Sequence, residues 1–132
     1  MPFIHITLGK PVSSAVRQHI GRQATDLIVD LLGKRREVTA VLVEVVHTGA
    51  WCISGEPQSE AATPTHCEIA ITAGTNSAEE KARMIAAMHA MLAAALATVP
   101  EATYVVIHEL PASDWGYAGK TQSARRMTAS AL

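Results

Sequence analysis

The sequence lacks most of the features that announce a chemistry. It has no excess of one charge: 11 lysines and arginines stand against 12 acidic residues, for a net charge of -1. That balance argues against a phosphate backbone or an anionic membrane surface as partner. Its two cysteines, Cys52 and Cys67, form neither a CxxC pair nor a zinc spacing and read as reduced thiols of a cytoplasmic protein. Histidines 5, 19, 47, 66, 89 and 108 fall into neither HxH nor HExxH, so no metal and no cofactor are expected. The Gly-Lys pairs at 9, 33 and 119 lack the spacing of a phosphate-binding loop. The longest apolar stretch, 84–99, is mostly alanine and contains His89, too short and too weakly apolar to span a bilayer. No charged leader precedes an apolar signal core. With 48% hydrophobic residues in 132 positions, the expectation is one compact soluble domain over 1–132 with a real core.

What is present is a changing apolar period. Pro2 to Leu8 alternates, with Ile4, Ile6 and Leu8 on one face, and predicts a strand. From Ser13 to Leu32 the apolar residues Val16, Ile20, Ala24, Leu27, Ile28, Leu31 and Leu32 recur at helical steps, closed by Gly33. Thr39 to Val46 is a β-branched run that reads as a second strand. Residues 47–65, rich in glycine, proline and small polar groups, read as a connection. The order then returns: a strand at 67–72, a helix from about Ser77 to Thr98, and a strand at 103–110. Ser77 and Glu80 have the spacing of a capping box, and Ile85, His89, Leu92 and Leu96 form the expected buried stripe. Lys120 to Arg126 reads as a solvated or intersubunit helix.

The return is a repeat. Ser77 lies 64 positions after Ser13, and Trp115 lies 64 after Trp51. The chain is expected to be a duplicated βαβ unit, about 2–55 and 66–120. Right-handed crossovers then give an α+β (α/β) fold, a four-stranded mixed sheet with both helices on one face. Valines and leucines at 41–46 and 105–110 suggest inner strands that are apolar on both faces. An uncovered apolar sheet face implies a homo-oligomer that buries it.

Pro2 stands directly behind Met1. Removal of the methionine would leave a secondary amine at the start of a buried strand; otherwise Pro2 is simply a strand-opening residue. An α-amino group titrates near ~8, and burial lowers that value. Such an amine can move a proton on carbon next to a carbonyl if the enolate oxygen is stabilised.

Together with the duplicated units and the tail Ser113-Asp114-Trp115-Gly116-Tyr117-Ala118-Gly119-Lys120, this pattern resembles the tautomerase superfamily. That superfamily includes 4-oxalocrotonate tautomerase, malonate semialdehyde decarboxylase, cis-3-chloroacrylic acid dehalogenase and macrophage migration inhibitory factor. The double length is similar to the latter three. The resemblance implies a trimer, no cofactor, and Pro2 as general base and acid on a small 2-oxo acid or aryl enol. It further implies that Lys34 and Tyr104 contact substrate and that Trp115 walls the pocket. Read without it, Lys34 is a loop lysine beside Arg35 and Arg36, and Tyr104 a packing aromatic at a strand end. In the second unit the residue aligned with Pro2 is His66, which has no terminal amine.

The sequence departs from the family pattern at the carboxylate-gripping arginines. Lys10, Thr75, Asn76, Ala40 and Tyr104 occupy the places where those are expected, which weakens dehalogenase and decarboxylase readings. Glu44 and Glu109 are the remaining candidates for activating a water. The alternatives to a tautomerase are a non-catalytic trimeric binding protein of the same fold and a promiscuous hydratase or decarboxylase.

Overall fold

A computed structural model describes residues 2–58 and 61–131, of which 128–131 by backbone alone. Met1 lies outside them. In chain order the elements are β1 (Phe3–Leu8), α1 (Ser14–Leu32), β2 (Ala40–Val45), a short hairpin of β3 (Cys52–Ile53) and β4 (Glu56–Pro57), then β5 (Thr65–Thr72), α2 (Ala78–Leu96) and β6 (Tyr104–Leu110). A second hairpin of β7 (Gly116–Tyr117) and β8 (Lys120–Thr121) leads into α3 (Gln122–Ala131). The stretch expected as a plain connection therefore holds a hairpin, and its duplicate recurs in the tail.

The helix ends follow from their residues. Ser13 caps α1, its Oγ accepting from the Val16 N–H at 3.1 Å. At the other end Gly33 takes a left-handed φ of 67°. The Gly33 N–H donates to Val29 O at 3.1 Å and the Lys34 N–H to Ile28 O at 3.3 Å. This closing motif favours glycine at 33, where a Cβ would be strained, and fixes the backbone of Lys34. The α2 capping box is complete, with Glu80 N–H on Ser77 Oγ and Ser77 N–H on Glu80 Oε1.

The sheet order is β2-β1-β5-β6. Strands are parallel within each unit, and the units join antiparallel through β1 and β5. This corrects one expectation: the valine-rich β2 and β6 are edges, and the centre is β1 and β5. Both helices cover one face. Ile4, Ile6, Leu8, Cys67, Ile69 and Ile71 from the sheet meet Ile20, Ala24, Ile28 and Leu32 of α1 and Met84, Met88 and Leu92 of α2 in one buried core. The α2 stripe differs from that expected: Ile85 and His89 face outward, and Met84 and Met88 take the core side. Flexible methionines fill the space over an alanine-rich helix better than an imidazole, which would lose its water.

The open face is less apolar than the β-branched runs suggest. Exposed Phe3, Leu42 and Tyr104 share it with His5, paired to Glu44 at 2.6 Å, and with Glu68 between His66 at 3.4 Å and His108 at 3.5 Å. Those histidines hold the Glu68 carboxyl below the usual range by hydrogen bonding.

Register refines the repeat. Val41 pairs with Ile4 and Val105 with Cys67. The outer strands are thus offset by 64 and the inner ones by 63. The counterpart of Pro2 in space is Thr65, one residue before the His66 with which sequence aligns it. The extra residue sits in the turn from β5 to Ser77. Thr65 is buried, with its hydroxyl on Thr63 O at 2.9 Å.

Candidate active site

Pro2 precedes β1 and is fully buried. Its carbonyl accepts from the Ala40 N–H at 3.4 Å, which ties it to the start of β2. Phe3 pairs with Ala70 and Ile71 with Glu109, so one step beyond Phe3 the row runs Pro2, Ile71, Glu109. Pro2 and Ile71 are both buried on the helix side. Side chains in such a row share a face, which puts Glu109 two strands away, at about 10 Å. Glu109 is ion-paired there to Lys81 of α2 at 3.1 Å.

Lys34 arrives at the same end of the sheet because α1 runs back along β1. Its half-buried Nζ donates to Thr75 Oγ1 at 2.9 Å. Thr75 in turn donates to Thr72 O at 2.6 Å. Burial pulls the Lys34 ammonium below its ordinary range, partly offset by the charges of Glu80 and Glu109. Thr75, one of the places where an arginine is expected, thus orients a lysine from the other unit.

The tail supplies the wall. The Trp115 indole donates to Thr72 Oγ1 at 3.2 Å, fixing it over the end of β5. Tyr117 and Arg125 then meet Arg35 and Val38 beside the start of β2. The tail thus runs as a strap from the end of β5 to the start of β2, on either side of β1 in the sheet. It is held by Gln122 N–H on Trp115 O and Ser123 N–H on Ala112 O, each at 2.9 Å. A cavity of 270 Å³ lies along this strap, lined by Trp115, Gly116, Lys120 and their neighbours.

Pro2, Lys34 and Trp115 therefore gather at one end. Tyr104 does not. It opens β6 opposite His66, 65% exposed on the open face, while Pro2 lies toward the Leu110 end. Six strand steps separate the two ends of β6, about 20 Å, so Tyr104 and Pro2 of one chain do not meet. Thr72 and Lys81 were not among the residues singled out in the sequence, and Thr75 was noted only as the place of a missing arginine, because a lone threonine or helix lysine carries no local signal.

The sequence model of the "Tautomerase enzyme" family matches residues 2–61 and again 66–125. The chain belongs to the tautomerase family. A probable tautomerase K2 of Dickeya dadantii (strain 3937) is 36% identical over 61 residues, which is 46% of this chain and 91% of that protein. Among solved structures, a fused 4-OT wild-type symmetric trimer superposes with a TM-score of 0.83 at 18% identity, covering 93% of this chain and 98% of that one. Pt0534 inactivated by 2-oxo-3-pentynoate gives 0.84 at 15% identity, with coverage of 93% and 98%. At such identities the structural likeness carries the fold: the duplicated βαβ arrangement is that of the double-length tautomerases. No helix among the described residues is long and apolar enough to cross a membrane.

Proposed function

We propose that the protein is a cofactor-independent tautomerase acting on a small 2-oxo acid or related enol. Removal of Met1 frees the Pro2 amine, which takes a proton from the carbon next to the substrate carbonyl and returns it to the other end of the enolate. Lys34 stabilises the developing enolate oxygen. Trp115 keeps water from the amine and favours its neutral form. The observation that supports this reading is a fully buried Pro2 at the sheet end where Lys34 is tied to Thr75 just after β5. Tyr104 lies at the opposite end of its own chain, so in a homotrimer it would serve a neighbour's pocket. The fused 4-OT relative, itself a trimer, supports that assembly. Two free thiols, Cys52 and Cys67, suit a reducing cytoplasm.

Phenylpyruvate and 2-hydroxymuconate test the reading, with untagged protein and Pro2→Ala compared side by side. Turnover that falls at least about 100-fold in the variant, the usual scale of a lost acid-base group, is the expected result. Equal rates in both proteins would leave a binding protein of the same fold. Intact mass is the companion measurement, because a retained Met1 turns the Pro2 nitrogen into an amide without basicity. Hydration has one observation in its favour, Glu109 on the Pro2 face, and a hydrated product would reveal it.

A further inference from the structure

The open face of the sheet carries a chain of alternating bases and acids. The groups that titrate on it are His5 of β1, Glu44 of β2, His66 and Glu68 of β5, and Tyr104 and His108 of β6. His5 Nε2 lies 2.6 Å from Glu44 Oε1, and Glu68 Oε1 lies 3.4 Å from His66 Nε2 and 3.5 Å from His108 Nε2. Hydrogen bonding from His66 and then from His108 holds the Glu68 carboxyl below its ordinary range, so it stays ionised across the interval in which histidine changes charge. An ordinary phenol ionises only near ~10, outside that interval. Among the described residues no group of three or more His, Cys, Asp or Glu is arranged to hold a metal ion, so the cluster is read through protons.

Charge on this face therefore follows pH. With its three histidines neutral, the two carboxylates leave it at -2 per chain, and with all three protonated it reaches +1. It passes through zero between those limits, where histidine titrates. All five side chains are partly exposed in the single chain. Covering them with further copies removes water from like charges, which is unfavourable unless they are neutralised.

Duplication adds a reversal of sign. The inner strands repeat at 63 and the outer at 64, which takes His5 to Glu68 and Glu44 to His108. The first unit has its base inside and its acid on the edge; the second has the opposite. One edge of the sheet, β2, thus presents Glu44 and the other, β6, presents His108, both exposed. Like edges in contact would put Glu44 with Glu44. A head-to-tail ring puts the Glu44 edge of each copy along the His108 edge of the next.

We propose that the open face is a proton-sensitive seam between copies of this chain. Protonation of His5, His66 and His108 neutralises Glu44 and Glu68 and tightens a head-to-tail ring, and deprotonation loosens it. This rests on the homotrimeric tautomerase reading and adds to it a regulation of the assembly.

Sedimentation velocity over a dilution series tests it at about pH 6 and about pH 8, on either side of the ordinary histidine value, at equal ionic strength and with sub-denaturing urea to bring dissociation into range. The native trimer should dissociate at a concentration at least about tenfold higher at the lower pH's alkaline counterpart, a modest shift for three histidines per chain. Combining His5→Gln, His66→Gln and His108→Gln keeps N–H donors without the titrating charge and should remove the difference. His108→Lys stays charged at both pH values and should hold the ring together at the higher one. Equal dissociation of the native chain at both pH values would overturn the proposal, as would a full pH response in the glutamine variant or a His108→Lys ring no tighter than the native one at the higher pH. A chain monomeric at both pH values even without urea removes the trimer along with the proposal, whereas a trimer indifferent to pH removes the proposal alone. Turnover of Pro2→Ala judges the proline mechanism separately.

Discussion

Gly116→Ala isolates the strap. A Cβ at 116 would stand 1.9 Å from Lys120 O, 2.6 Å from Lys120 C and 2.7 Å from Thr121 Cα. These are backbone atoms of the facing strand, and no rotamer change can move them aside. Accepting such overpacking costs about 1–3 kcal/mol, occasionally more. The alternative is to open the hairpin, giving up the Gly116 and Thr121 pairing and the Gln122 bond to Trp115 O, at about 0.5–1.5 kcal/mol per bond. The two routes are similar in magnitude, and the rigidity of the obstruction decides for opening. None of the strap belongs to the buried core, so it can lift without the sheet unfolding. The expected result is a melting temperature lowered by about 4–12 °C, the scale of 1–3 kcal/mol for a chain of this size, with the sheet still folding cooperatively. Amide exchange at 115–122 becomes rapid, and phenylpyruvate turnover falls at least about tenfold, equivalent to 1.4 kcal/mol of transition-state stabilisation. Gly9→Ala is the comparison at the other end, its Cβ meeting Pro64 Cβ and Trp51 Cε3 at 2.9 Å. It should lower stability by about 1–3 kcal/mol and leave turnover in place. A Gly116→Ala protein with parental kinetics and a protected hairpin would refute the strap as a part of the site.

Two further outcomes follow from burial. Lys34→Met should raise stability near neutral pH while reducing turnover, because the folded state disfavours the protonated lysine. The folded value is lowered, so the penalty is complete below it and fades as pH rises from there to the unfolded value; the gain from Lys34→Met must shrink in alkaline denaturation curves. Under native conditions a thiol reagent should modify Cys52, which is exposed, and spare Cys67, which burial chiefly and Glu68 secondarily push up to about 12. Mass spectrometry should count one adduct before unfolding and two after, and a doubly labelled native chain would contradict the burial of β5.

Local signals carried much of the fold into the sequence. Alternation marked β1, three- and four-step spacing marked α1, and Ser13, Gly33, Ser77 and Glu80 marked helix ends, because each is decided by neighbours within a few residues. The sheet order was less legible. A β-branched run looks the same at an edge as at the centre, and only the direct pairing of β1 with β5 put β2 and β6 outside. The α2 stripe turned by one position because alanines leave a weak moment and tertiary packing chose Met84 and Met88 over Ile85 and His89. At the candidate site, Pro2, Lys34 and Trp115 were readable from pattern and resemblance. Thr72 and Thr75 were not, since their roles exist only once the turn after β5 has brought them against Trp115 and Lys34.

The arginines show why a search confined to expected positions misreads such a chain. Their usual places lie on the strands and the turns just after them, where this sequence has Lys10, Ala40 and Thr75. A guanidinium need not come from a strand to reach the start of β2, because the tail brings Tyr117 and Arg125 against Arg35 and Val38 there. Duplication makes the contrast internal: each sheet end has a hairpin, a tryptophan and a recess, yet only the end with a proline has Arg35, Arg125 and Arg126, while the other has Ala61, Ala62, Val99 and a lining glutamate. The two ends also differ in structure, since α3 (Gln122–Ala131) has no counterpart in the first unit, where residues 61–64 lead straight into β5.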